Sequence, residues 1–301
     1  MPDTILALKI DVDTYAGTRN GVPVLLDLLA RYNARGTFYF CMGPDNTGRA
    51  LRRIFTHKGF LQKALRSGAP SAYGLKTMLY GVLLPAPIIY KRCAEIMREV
   101  ARQGHEVGTH AWNHVDWHDF LLTSDAGFAK SELGQAASAF QQIFERLPAT
   151  TAAPGWTISS DALELQDRME LSYCSDSRGS TPFYPVMHGR RFSTLQLPTT
   201  LPTADELLGR DGITVENLPE YYLKQLKPGL NVLTIHTELE GGCISASFER
   251  LLCLLDERQT PCITLAEAAA AISTAPACEL GMGNIDGRAL PVALQGAEVL
   301  P

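Results

Sequence analysis

The strongest constraint on the fold is an alternation. Short apolar runs of strand character are followed, after short links, by stretches with apolar residues at helical spacing. Residues 5–12 (ILALKIDV) read as a buried first strand. Residues 21–32 then place Val22, Leu25, Leu26, Leu28 and Leu29 on one helical face, with Pro23 early, where a helix tolerates it. Residues 36–41 (GTFYFC) form a second, aromatic strand. Further strands are expected near 107–109, 171–179, 194–201, 231–236 and 261–265, with a strand end and turn at 151–156 and helices at 94–103, 124–147, 160–170, 218–226, 248–255 and 267–272. Strand–helix units of this kind predict a parallel sheet wrapped by helices. Six or seven of them predict an α/β fold, a (β/α) barrel of about seven strands. One domain is expected over 1–275, and the Gly- and Ala-rich tail 276–301 is expected to be an irregular strap.

The chain has 301 residues, a net charge of −5 and 46% apolar residues. That fits a folded domain with a sizeable core and argues against a general nucleic-acid binder. Seven scattered cysteines without a Cys-x-x-Cys read as reduced thiols, and the N-terminus shows no basic segment ahead of an apolar one. The longest near-apolar run, 78–90, is interrupted by Pro85 and Pro87, well short of the roughly 20 residues a bilayer requires. A cytoplasmic protein without a membrane span is expected, and no protein partner is inferred.

Charge is unevenly distributed. Residues 46–94 contain no Asp or Glu but nine basic residues, among them Arg49, Arg52, Arg53, Lys58, Lys63 and Arg66. Those nine leave 18 of the 27 basic residues for the rest of the chain, against 32 acidic ones. Apolar and tyrosine residues interleave with the cations. This insertion is read either as a surface that meets anionic lipid or as a flap that covers the barrel.

In a barrel of this type, chemistry sits where strands end and loops begin. Asp11, Asp13, His110, His114, Asp176 and His236 all fall at such ends. His110 and His114, four apart, can converge on one metal ion if they share a helical turn. Asp11 or Asp13 supplies the carboxylate ligand, and the other is free to act as a base. His236 is the candidate general acid, so the parts fit hydrolysis of an amide. The donor set suits zinc, cobalt, manganese or iron(II).

These residues resemble, in type and order, the motifs of the NodB-type carbohydrate deacetylases (carbohydrate esterase family 4). The matching stretches are Asp11-Val12-Asp13, His110-Ala111-Trp112-Asn113-His114, Tyr173-Cys174-Ser175-Asp176 and Leu233-Thr234-Ile235-His236. The resemblance implies a distorted (β/α) barrel and a divalent metal on Asp13, His110 and His114. It also implies Asp11 as general base and His236 as general acid. The family's arginine motif is represented only by Ala153-Pro154-Gly155-Trp156, so Arg178 or Arg19 is expected to take over orientation of the base. Asp176 is expected to support His236 or to pair with Arg178.

Over nearly the whole chain the likeness is to the subgroup that deformylates 4-deoxy-4-formamido-L-arabinose on undecaprenyl phosphate. The stretches GPDNTGR (43–49), DSRG (176–179), QLPTTLP (196–202) and TIHTELEG (234–241) extend it. That subgroup serves aminoarabinose modification of lipid A and resistance to cationic peptides such as polymyxin. It implies an anionic membrane surface as partner and a peripheral place on the cytoplasmic face of the inner membrane. Under this reading Glu238, Glu240 and Trp156 are candidate sugar contacts, and the insertion's cations meet phosphate and headgroups. The alternatives are a deacetylase of N-acetylated glycans on the same fold and a catalytically silent barrel that binds lipid or metal.

Overall fold

The computed structural model describes residues 4–52 and 76–300. Strands β1 (Thr4–Val12), β2 (Thr37–Phe40), β3 (Glu106–Thr109), β4 (Thr150–Thr151) and β5 (Tyr173–Cys174) pair in parallel, each beside the next. Two short strands, β6 (Tyr184–Met187) and β7 (Arg190–Arg191), leave this sheet. The chain returns in β8 (Gly229–His236), parallel to β1 on its other side, and β9 (Cys262–Ile263) lies along the start of β1. Seven parallel strands therefore form one sheet, in the order β5-β4-β3-β2-β1-β8 with β9 beside β1, a barrel left open between β5 and β8.

The pleat of β1 divides its residues between two faces. Leu6, Leu8, Ile10 and Val12 join the large cluster that includes Leu25 and Leu29 of helix α1 (Val22–Arg31) and Met97 of helix α2 (Ile89–Arg102). Ala7 belongs to the smaller interior cluster with Tyr39, Ala152, Tyr173 and Val232. Lys9 and Asp11 follow Ala7 on that face, and Asp13 lies one residue past the strand's end.

Residues 194–201 do not form the expected strand. They make isolated bridges instead: Gln196 meets Cys174 of β5, while the amides of Thr200 and Leu201 donate to the carbonyl of Val232 in β8 (3.0 and 3.2 Å). Pro198 and Pro202 limit a regular ladder here, because proline lacks the donor. The segment links the two outer strands with few hydrogen bonds, which is the distortion of the barrel.

The tail also departs from expectation. Instead of an irregular strap, β10 (Ala277–Gly283) and β11 (Val292–Glu298) form an antiparallel pair that joins β6 and β7 in a second sheet of order β11-β10-β6-β7. This hairpin delivers Arg288, at its turn, to the barrel, where the guanidinium lies 4.4 Å from the centroid of Trp156.

Candidate metal centre and active site

Asp13, His110 and His114 each offer a ligand atom within 4.8 Å of the others. The histidines do not reach this position by sharing a helical turn. His110 follows β3, Ala111 adopts a left-handed φ of 59°, and helix α3 (His114–Phe120) starts only at His114. Asn113 caps that helix, its side-chain oxygen accepting from the Asp116 amide at 3.2 Å. A kink followed by a cap brings the two rings to a centroid separation of 5.5 Å.

The donor set fits a divalent cation. His110 Nδ1 is hydrogen-bonded to the Ala152 carbonyl at 2.8 Å, which assigns the proton to Nδ1 and leaves the Nε2 lone pair facing the site. Asp13 Oδ1 and Oδ2 lie 3.3 Å from His110 Nε2 and 3.4 Å from His114 Nε2. Asp13 Oδ1 is buried without a hydrogen-bond partner, as expected of an atom aimed at an ion. Burial opposes ionisation of Asp13, but His114, His110 and His236 outweigh it and hold the carboxyl well below its usual range.

Asp11 and His236 flank this cluster. Asp11 is buried, with Oδ2 3.9 Å from His110 Nε2 and Oδ1 unpartnered. His236, at the end of β8, stands in register with it across the parallel pair. Burial alone would lower the His236 pKa, but Asp13, Asp205, Asp11 and Glu240 together raise it. That favours an imidazolium able to give up a proton.

Several candidates are committed elsewhere. Asp176 is fully buried and accepts from Gln166 (2.8 Å) and Gln196 (3.0 Å); it is bonded to neither His236 nor Arg178. Arg178 instead makes an ion pair with Glu206 at 2.7 Å, and Arg19 is exposed beside the Tyr15 hydroxyl at 3.4 Å. Trp156 is only 1% exposed, its indole N–H donating to Thr199 Oγ1 at 3.1 Å. Glu238 Oε1 accepts from the Thr14 amide (3.0 Å) and hydroxyl (2.6 Å), and Glu240 Oε2 from the His236 amide (2.9 Å). Neither glutamate is presented as a sugar contact; each fixes the backbone next to an active-site residue. The Glu238 contact also explains Gly17, where a Cβ would stand 2.1 Å from Glu238 Oε1.

The residue that sequence reasoning passed over is Lys9. It is fully buried, and its Nζ donates to Asp11 Oδ2 at 3.0 Å. The ammonium also lies 4.9 Å from the Trp156 ring centroid and 5.9 Å from that of Tyr39. Removing one partner of a buried ion pair costs about 3–5 kcal/mol, so the lysine and the aspartate depend on each other. The signal was present in the strand: a lysine two residues before Asp11 shares its face, and a lysine in an otherwise apolar buried strand requires a counter-charge.

A sequence model of the family described as polysaccharide deacetylase matches residues 2–174. The chain belongs to this family. Among its curated relatives, a Shewanella sediminis protein is 37% identical over 88% of this chain and 85% of its own length. It is named "Probable 4-deoxy-4-formamido-L-arabinose-phosphoundecaprenol deformylase ArnD". A Wigglesworthia glossinidia brevipalpis protein of the same name is 33% identical over 78% of this chain and 82% of its own. Among solved structures, a candidate polysaccharide deacetylase from Mycobacterium smegmatis superimposes with a TM-score of 0.59 at 18% identity, covering 90% of this chain and 91% of its own. That likeness concerns the fold.

Of the basic insertion, Arg53, Lys58, Lys63, Arg66 and the side chain of Arg52 lie outside the described residues. Its two described ends pack together: the Gly48 amide donates to the Tyr80 carbonyl and the Asp45 amide to that of Pro87, both at 3.0 Å. Arg49 is partly exposed and reaches toward the Gly81 carbonyl and Asp116, each at 3.4 Å. Val82 and Leu83 beside it are 58% and 75% exposed. Among the described residues no helix is long and apolar enough to cross a membrane.

Proposed function

We propose that this chain is a metal-dependent deformylase. Its substrate is 4-deoxy-4-formamido-L-arabinose carried on undecaprenyl phosphate, and its products are the amino-sugar lipid and formate. The observation that carries the reaction class is the pairing of Asp11 with His236 across β1 and β8, beside the Asp13–His110–His114 cluster. The substrate rests on two curated relatives that share this name and align over most of their length.

Bound to Asp13, His110 and His114, a divalent ion supplies Lewis-acid chemistry, acidifying water and polarising an amide oxygen. The protein's own groups do the rest. Asp11, with Oδ1 free and Oδ2 held by Lys9, accepts the proton of the attacking water as its oxygen adds to the formyl carbon. His236, on the neighbouring strand, donates a proton to the sugar nitrogen as the C–N bond breaks. The pair flanks the carbonyl so that one group receives a proton and the other returns one.

The lipid-linked substrate gives the insertion a place in the reading. Basic residues attract anionic headgroups, and exposed Val82 and Leu83 supply apolar contact at the membrane surface. The protein then works on the cytoplasmic face of the inner membrane, in aminoarabinose modification of lipid A and resistance to polymyxin. An assay that offers the formamido-arabinose lipid and N-acetylated chitooligosaccharides side by side tests the substrate. Release of formate from the lipid is expected; turnover of the oligosaccharides alone would replace the reading with a glycan deacetylase.

A further inference from the structure

Asp11 and Asp13 are chemically alike, two residues apart, and both lie close to His110 Nε2 (3.9 and 3.3 Å). Nothing in their residue type decides which one takes the cation and which stays free as a base. Their partners do. Asp11 Oδ2 is held by the Lys9 ammonium at 3.0 Å, whereas the Asp13 oxygens face the two imidazoles. We propose that Lys9 is a positioning residue that assigns these roles, holding the Asp11 carboxylate back from the cation so that it remains a base.

Three observations support this. Lys9 is fully buried, and a buried ammonium persists only with a committed counter-charge. Among the described residues, its Nζ hydrogen-bonds to the Asp11 oxygen nearest His110. Its head is further confined by Trp156 and Tyr39, with the Arg178 and Arg288 guanidiniums on the same indole at 5.0 and 4.4 Å. Three cations around one indole leave Lys9 little freedom to move away from Asp11. This lysine, on the same strand as Asp11, supplies a cation beside the base.

The inference rests on the proposed hydrolysis only for its turnover arm. Full-length Lys9→Met and Lys9→Arg proteins are compared with the wild type for Zn2+ affinity, for Asp11 side-chain orientation by crystallography, and for deformylation. In Lys9→Met the Asp11 carboxylate is expected to turn toward the cation, with Zn2+ bound at least as tightly as in the wild type. Its kcat is expected to fall about 10²-fold with little change in KM, and Lys9→Arg is expected to recover most of the loss. If Lys9→Met does not fold, Lys9→Gln, which is polar but uncharged and one bond too short to reach Asp11 Oδ2, is expected to show the same fall in kcat. An unmoved Asp11 with wild-type kcat in Lys9→Met (or in Lys9→Gln, if that variant carries the test) would overturn the proposal. So would equal loss of Zn2+ binding in all variants, which would make Lys9 a packing residue. If no protein, wild type included, turns over the lipid, the functional reading fails, and Zn2+ affinity and Asp11 orientation still decide the role of Lys9.

Discussion

Asp11 and His236 stand side by side in register on adjacent parallel strands, although 225 positions of chain separate them. Their division of labour is testable. Asp11→Asn keeps the shape but not the basicity and is expected to lower kcat by about 10²–10⁴-fold. Bound metal should stay at the wild-type level by elemental analysis. Loss of metal together with activity would show that Asp11 is a ligand.

The ligand set predicts the opposite pattern. Asp13→Ala or His114→Ala is expected to weaken Zn2+ binding by more than the roughly 10–100-fold that loss of a supporting hydrogen bond costs. A competition titration against a chelator measures this, and wild-type affinity in both variants would remove the site.

Glu238 serves the backbone of the loop after Asp13. Removing its carboxylate leaves the buried Thr14 amide and hydroxyl without their acceptor, at about 1–3 kcal/mol for each unsatisfied group. Glu238→Ala should therefore unfold at clearly lower urea concentration, whereas Glu238→Gln, which still offers an oxygen, should stay near wild type. Equal stability of all three proteins would contradict this role of Glu238.

His105 sets a pH dependence of stability. Burial, and then the Arg35 charge, push its pKa down to about 4 from 6.5. Its Nδ1 accepts from the Gly36 amide at 3.3 Å and its ring packs edge-on to Phe38, so the fold requires the neutral ring. The unfolded chain binds the proton more readily. Stability is therefore complete above pH 6.5 and lost as pH falls toward 4, by about 3 kcal/mol at most. Urea unfolding of wild type and His105→Phe between pH 4 and 7.5 checks this; the variant should lose that part of the slope.

For the insertion, Val82→Asp with Leu83→Asp is expected to weaken sedimentation with anionic phospholipid vesicles at least several-fold while leaving Zn2+ binding intact. Unchanged sedimentation would favour a flap that only covers the barrel.

Much of the barrel was legible because strand ends carry the chemistry and apolar runs mark the strands. Asp11, Asp13, His110, His114 and His236 all arrive at one rim as their strand positions suggested. What the sequence concealed was set by backbone conformation or by distant partners. The i, i+4 spacing of the histidines looked helical, yet a left-handed Ala111 and the Asn113 cap bring them together. Arg178 was open to pairing with Asp176, but Glu206, contributed by the short helix Ala204–Leu207, takes it. Glu238 and Glu240 looked available for a sugar because residue type alone cannot show that a carboxylate is bonded to backbone amides. Lys9 could have been found from strand alternation, since it shares a face with Asp11.

The Arg288–Trp156–Lys9 stack ties the far C-terminal end of the chain to the first strand. Shortening the protein at residue 275 would disturb the surroundings of Asp11 without touching a single ligand or catalytic group. The family match ends at residue 174, so expression boundaries chosen from it would omit His236, Arg288 and the 194–201 closure together. For anyone preparing this enzyme, the hairpin is a part of the active site's foundation.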